Sequence, residues 1–122
     1  MQAIDLQEIQ RYIDAHANTP LYVHVETTNG AYATHQDPTF HSAGMFFRNA
    51  EITYERGLIT GNGPYRIGLK LAHGWLYGEG LTDFEFAGDQ LLIAGHDIEG
   101  RLAIAFELSP TPFAQGAEEV DA

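Results

Sequence analysis

The stretch Leu91 to Leu108, LLIAGHDIEGRLAIAFEL, constrains the fold more than any other part of the chain. Leu102, Ile104, Phe106 and Leu108 alternate with Arg101, Ala103, Ala105 and Glu107. This is the period-two pattern of a strand with one face in a core. The apolar run Leu91-Leu92-Ile93-Ala94 precedes it and leads into Asp97-Ile98-Glu99-Gly100, where Gly100 can take the positive φ that closes a short antiparallel hairpin. The rest of the chain is expected to pack on or around this hairpin.

One segment has a different period. Leu6, Ile9, Tyr12, Ile13 and His16 fall on one side at helical spacing, with Asp5 placed to cap the first turn and Glu8 to complete a capping box. Ile4 and Ile9 could staple this helix, which should end before Asn18 and Pro20. From Leu21 the period returns to two. Leu21, Val23 and Val25 alternate with Tyr22, His24 and Glu26, and Asn29-Gly30 supplies a strong two-residue hairpin signal. A type I′ turn there would set Glu26 opposite Ala33 and His24 opposite His35. His35 to Ser42 reads as a loop.

Met45, Phe46 and Phe47 are consecutive, which suggests a strand buried on both faces or one that meets another subunit. Ile52, Tyr54 and Leu58 continue to the turn Gly61-Asn62-Gly63-Pro64, after which Tyr65, Ile67, Leu69 and Leu71 alternate with Arg66, Gly68 and Lys70. Trp75 to Phe86 is expected as one long strand, with a bulge or close backbone approach at Gly78 and Gly80. Phe113 could dock after Pro110 and Pro112. The expected fold is mainly β: one domain of about seven or eight antiparallel strands, barrel-like or in stacked sheets, with one N-terminal helix. Residues 1–113 form that domain, and 114–122 an acidic flexible tail.

Charge and composition exclude several functions. With 17 acidic against 6 basic residues the net charge is -11, so nucleic acid and anionic membrane surfaces are poor partners. The absence of cysteine removes disulfides, thiolate metal sites and cysteine nucleophiles. No apolar run approaches a membrane span and the start lacks signal-peptide character, which places the chain in the cytoplasm by expectation.

Three side-chain groups could carry chemistry. His24, Glu26 and His35, with His41 from the following loop, offer imidazole and carboxylate ligands for zinc or a similar divalent ion; otherwise they form a polar strand face. His96 and Asp97, with Glu99 and Arg101 at the hairpin tip, could form an acid or base site, with ordinary turn chemistry as the plainer account. Arg48, Arg56, Arg66 and Lys70 concentrate positive charge, and Arg66 and Lys70 share a strand face. They could bind a small carboxylate or phosphate, or simply neutralise acidic surroundings. No phosphate loop, dinucleotide fingerprint or serine-hydrolase elbow is present.

Four stretches together resemble the YojF-like family of small bacterial proteins of unknown function: Val23 to Ala33, Ser42-Ala43-Gly44 with Arg48-Asn49-Ala50, Gly61 to Lys70, and Gly95 to Ala103. The resemblance runs from about Ile4 to Phe113. It implies an all-β, barrel-like domain that forms homo-oligomers and brings no catalytic residues. It also implies an accessory role beside a deacetylase of the LmbE-like type used in making bacillithiol. A non-catalytic binding or assembly protein is therefore the expected function, with a small metal-binding protein or metal-dependent enzyme as the alternative.

Overall fold

The computed structural model describes residues 1–28 and 43–114. At its centre β8 (Gln90–His96) and β9 (Leu102–Ser109) form the expected antiparallel hairpin, closed at Gly100 with φ 79. Leu91 opposes Leu108 and Ile93 opposes Phe106, and all four side chains are fully buried. Burying each of these is worth roughly 1.5–3 kcal/mol, so the hairpin anchors the core. On its far side lies β2 (Leu21–Thr28), which continues both apolar rows with Val23 against Leu108 and Val25 against Phe106.

A six-stranded sheet grows from this centre in the order β1-β7-β8-β9-β2-β3, with β1 at Gln2–Ala3, β3 at Ala43–Ile52 and β7 at Asp83–Ala87. A three-stranded sheet comprises β4 (Arg56–Gly61), β5 (Tyr65–Lys70) and β6 (Trp75–Leu81). All pairings are antiparallel. The two sheets stack and do not close, so the barrel-like expectation gives way to the stacked-sheet one, with nine strands among the described residues. Ile59, Ile67, Leu69 and Leu81 of the small sheet belong to the same buried cluster as Val25, Ile93 and Phe106.

Two strand expectations are corrected. Trp75 to Phe86 is not one strand, because the chain leaves the small sheet at Leu81 and enters the large one at Asp83. Thr82 between them is tied to the large sheet, its amide donating to the Ala94 carbonyl at 2.9 Å and its carbonyl accepting from Ile4 at 3.3 Å. The backbones do approach closely near Gly80, as its sequence suggests. A Cβ on Gly95 would strike the Gly80 carbonyl, so only glycine fits where the sheets cross.

The second correction concerns β2, whose two hydrogen-bonding edges are both occupied. Residues Leu21 to Thr28 pair with β3 on one side, and Tyr22 to Thr27 with β9 on the other. His24 therefore lies opposite Arg48 and Glu107, where a two-residue hairpin would have put His35. Asn29, Gly30, His35 and His41 lie outside the described residues, as does the tail from 115.

The helix α1 (Leu6–Ala15) starts as expected, with Asp5 Oδ1 accepting from the amides of Gln7 and Glu8, each at 3.1 Å. Ile9 and Ile13 are buried against the sheets. Gln10 has a further role. Its amide nitrogen donates to the Gly57 carbonyl at 2.9 Å and its oxygen accepts from the Ile59 amide at 3.1 Å, so one side chain pairs with the outer edge of β4. Strand edges left bare invite pairing with other chains, and the helix covers this one.

Candidate functional site

The outward face of the small sheet gathers side chains from three strands. Alternation along β5 buries Ile67 and Leu69 and turns Arg66, Gly68 and Lys70 outward. Register then builds two rows across the sheet: Arg56, Lys70 and Trp75 in one, Leu58, Gly68 and Tyr77 in the next. Beyond them Arg66 Nη1 lies 4.0 Å from Glu79 Oε1. The face is unusually apolar for a surface, since Leu58 is 57%, Trp75 43% and Tyr77 58% exposed.

The two rings are ordered. Trp75 and Tyr77 stack with centroids 5.7 Å apart and planes inclined by 11°. The Arg56 guanidinium carbon lies 5.5 Å from the Trp75 ring centre and Lys70 Nζ 6.0 Å from it, both within cation–π range. Lys70 also donates to the Leu71 carbonyl at 2.7 Å and sits 3.6 Å from Glu55. Gly68 is the floor beneath Tyr77: a Cβ there would come within 2.9 Å of the ring. The result is a groove of about 610 Å³ lined by these rings, Arg56, Arg66 and Glu79.

Charge distribution sharpens the picture. Of 6 basic residues in a chain with 17 acidic ones, Arg56, Arg66 and Lys70 all lie on this face. Stacked rings offer a flat surface to a ring or to the C–H face of a sugar, and guanidinium and ammonium groups supply donors for an anion. This combination can hold a small ring-bearing anion.

A second cluster forms around His96. Its Nδ1 lies 2.7 Å from Asp83 Oδ2, and its backbone amide donates to Thr82 Oγ1 at 3.0 Å. Thr82 Oγ1 in turn donates to Asp83 Oδ2 at 2.8 Å. That hydroxyl contact, helped by His96, holds the Asp83 carboxyl below the usual aspartate range. Asp97 is not the partner of His96. It accepts from the amides of Glu99 at 2.9 Å and Arg101 at 3.0 Å and from Arg101 Nε at 3.0 Å, which holds its carboxyl low as well. Asp97 thus makes its hydrogen bonds within the turn, and His96 meets a carboxylate from the neighbouring strand.

The third cluster surrounds His24, which is buried on the opposite face of β2 from Val23 and Val25. Its Nε2 lies 3.4 Å from Glu26 Oε1, while Arg48 Nη1 stands 3.3 Å from its Nδ1. Phe113 is buried beside them, with the Arg48 guanidinium carbon 5.3 Å from its ring centre. A bulge at Asn49, with φ 59, frees that amide side chain to accept from Phe113 N at 2.7 Å and donate to its carbonyl at 3.1 Å. Arg48 also donates to the Ala114 carbonyl. Arg48 and Asn49 thus latch the segment after β9, with His24 packed beside Phe113 and Glu26 in contact with His24. Among the described residues no three His, Asp or Glu side chains come together as metal ligands.

The structure therefore divides the sequence candidates. Arg66 and Lys70 share a face as expected, and Arg48 belongs to the other sheet. Trp75, Tyr77 and Leu58, which dominate the groove, were not singled out from sequence. One signal was available: Trp75, Tyr77 and Glu79 alternate with Leu76, Gly78 and Gly80, so the bulky rings occupy one face while glycines occupy the other.

A family model described as "Protein of unknown function (DUF1806)" matches residues 3–113. The chain is 42% identical over 114 residues to an uncharacterized protein, YojF, of Bacillus subtilis (strain 168), covering 93% of this chain and 98% of that one. The crystal structure of Bacillus subtilis YojF superposes with a TM-score of 0.80 at 38% identity, over 93% of this chain and 97% of that one.

Proposed function

The chain belongs to the DUF1806 family of proteins of unknown function, and on that premise we propose that it is a non-catalytic binding protein for a ring-bearing anion. The observation that carries this reading is the ordered, exposed Trp75–Tyr77 stack with Arg56 and Lys70 over the tryptophan ring. Aromatic surface of this size is costly to leave in water, and its cationic flank runs against the charge of the rest of the chain.

Trp75 is the only tryptophan, so its indole N–H gives a single reporter of the groove. Glucuronate and N-acetylphenylalanine supply the two kinds of ring with a carboxylate. At least one should shift the Trp75 indole resonance in a titration, while neutral glucose and phenol should not. Tyr77→Ala should weaken that binding about tenfold, as loss of one stacking partner does. An indole signal unmoved by both anions would remove the proposal.

At the level of partners, the family resemblance supports an accessory role beside an LmbE-like deacetylase of bacillithiol synthesis, with the chain itself forming homo-oligomers. Met45, Phe46 and Phe47 on β3 are exposed and offer apolar contact area for such assembly. Co-purification with the deacetylase, and a change in its rate on adding this protein, are the expected results. Absence of both would separate the binding function from that pathway.

A further inference from the structure

Three cavities adjoin on the surface that begins at the groove. The groove shares Thr60, Arg66 and Glu79 with a middle cavity, and the middle cavity shares Pro64, Tyr65 and Gly80 with a third of about 420 Å³ lined by Thr82, His96 and Asp97. Gly80 lines both the middle and the third cavity, and a Cβ built there would meet nothing within 4 Å. The two ends of this surface differ in charge. Arg56 and Lys70 stand over Trp75 at one end, and at the other His96 lines the cavity with the Asp83 carboxylate against its Nδ1, while Asp97 is paired with Arg101.

We propose that these cavities form one extended site for a dipolar ligand, with a ring and anionic group held at Trp75 and an amine or hydroxyl donated to His96. The inference rests on the groove reading and deepens it. His96 is fixed for this task. With Nδ1 donating to Asp83 Oδ2 at 2.7 Å, the neutral ring keeps Nε2 as its acceptor atom. Thr82 locks the arrangement by holding both the carboxylate and the His96 amide.

The probe is the dipeptide lysylphenylalanine, which carries a ring and carboxylate at one end and an ammonium at the other. N-acetylphenylalanine has the same ring and carboxylate without the distal donor. In a titration followed by the Trp75 indole and the His96 imidazole resonances, lysylphenylalanine should move both and N-acetylphenylalanine only the first. His96→Gln and Asp83→Asn should each weaken lysylphenylalanine about tenfold, the effect of losing one charge-assisted hydrogen bond, and leave N-acetylphenylalanine binding unchanged. That selectivity is not expected of a variant that merely loosens the fold. If lysylphenylalanine leaves His96 unmoved, or binds both variants as it binds the native chain, the extended site is overturned, and the groove reading stands as long as N-acetylphenylalanine or glucuronate moves Trp75. If lysylphenylalanine, N-acetylphenylalanine and glucuronate all leave Trp75 unmoved, both fall.

Discussion

Burial pushes the Glu107 carboxyl above the ordinary glutamate range, and the pull of His24 and Arg48 in the opposite direction only partly offsets it. A carboxyl whose folded pKa exceeds its unfolded value favours the fold in its protonated form. The associated stability is complete below the unfolded value, about 4.3, and is lost as pH rises through the folded one. Glu107→Gln imitates the protonated group. It should melt together with the native chain in acid and above it at neutral pH, with the gap opening as pH rises. Two melting curves that stay parallel from acid to neutral would show that Glu107 carries no such linkage. At this scale the sequence was informative wherever alternation alone decides orientation, as with Arg66 and Lys70 on β5. It was uninformative wherever a partner arrives from a distant strand. Asp83 reaches His96 from thirteen residues away because β7 pairs with β8, and Asp97, the neighbour in sequence, is consumed by its own turn.

Among the elements, β4 depends on a helix side chain as much as on its strand partner. Gln10 makes two hydrogen bonds to β4 backbone groups, and its amide also donates to Asp14 at 2.9 Å. Gln10→Ala leaves the Gly57 carbonyl and Ile59 amide unpaired at a partly buried edge, which should cost about 1–3 kcal/mol in a denaturant melt. Gln10→Glu keeps the acceptor for Ile59 but sets a carboxylate against the Gly57 carbonyl, so it should not restore stability. Recovery with glutamate would mean that only side-chain bulk matters there. The helix itself was legible because a capping residue and a 3.6 period are local signals. The pairing of β2 with β3 was not, since Asn29-Gly30 argues for immediate reversal while the apolar rows Val23–Leu108 and Val25–Phe106 fix the strand through residues more than eighty positions away. The break at Thr82 was hidden for a related reason: Thr and Asp do not interrupt a strand by themselves, and the switch between sheets appears only when both sheets exist.

For the molecule as a whole, stacking rather than closure leaves the large sheet with an outer strand. β3 pairs only with β2 among the described residues, and it displays Met45, Phe46 and Phe47 at 40%, 54% and 48% exposure. The consecutive apolar run was visible in the sequence, but whether it lay inside the domain or on its rim depended on strand order. A ten-residue outer strand with apolar side chains on both faces is a favourable place for two copies to meet, in keeping with the homo-oligomer that the family resemblance implies. Opposing this is a net charge of -11 on each copy, so self-association through an apolar contact should strengthen as salt screens the repulsion. Sedimentation of the native chain should therefore show more than one copy per particle, with the dissociation constant falling as ionic strength rises. Phe46→Lys and Phe47→Lys add one positive charge each, which by charge alone would favour association in so acidic a chain. Either should nevertheless shift the particle to a single copy, because a lysine desolvated at an apolar contact costs more than the eased repulsion returns. Association that survives both substitutions, with melting temperature unchanged, would place the contact on another surface and leave β3 free for a different partner.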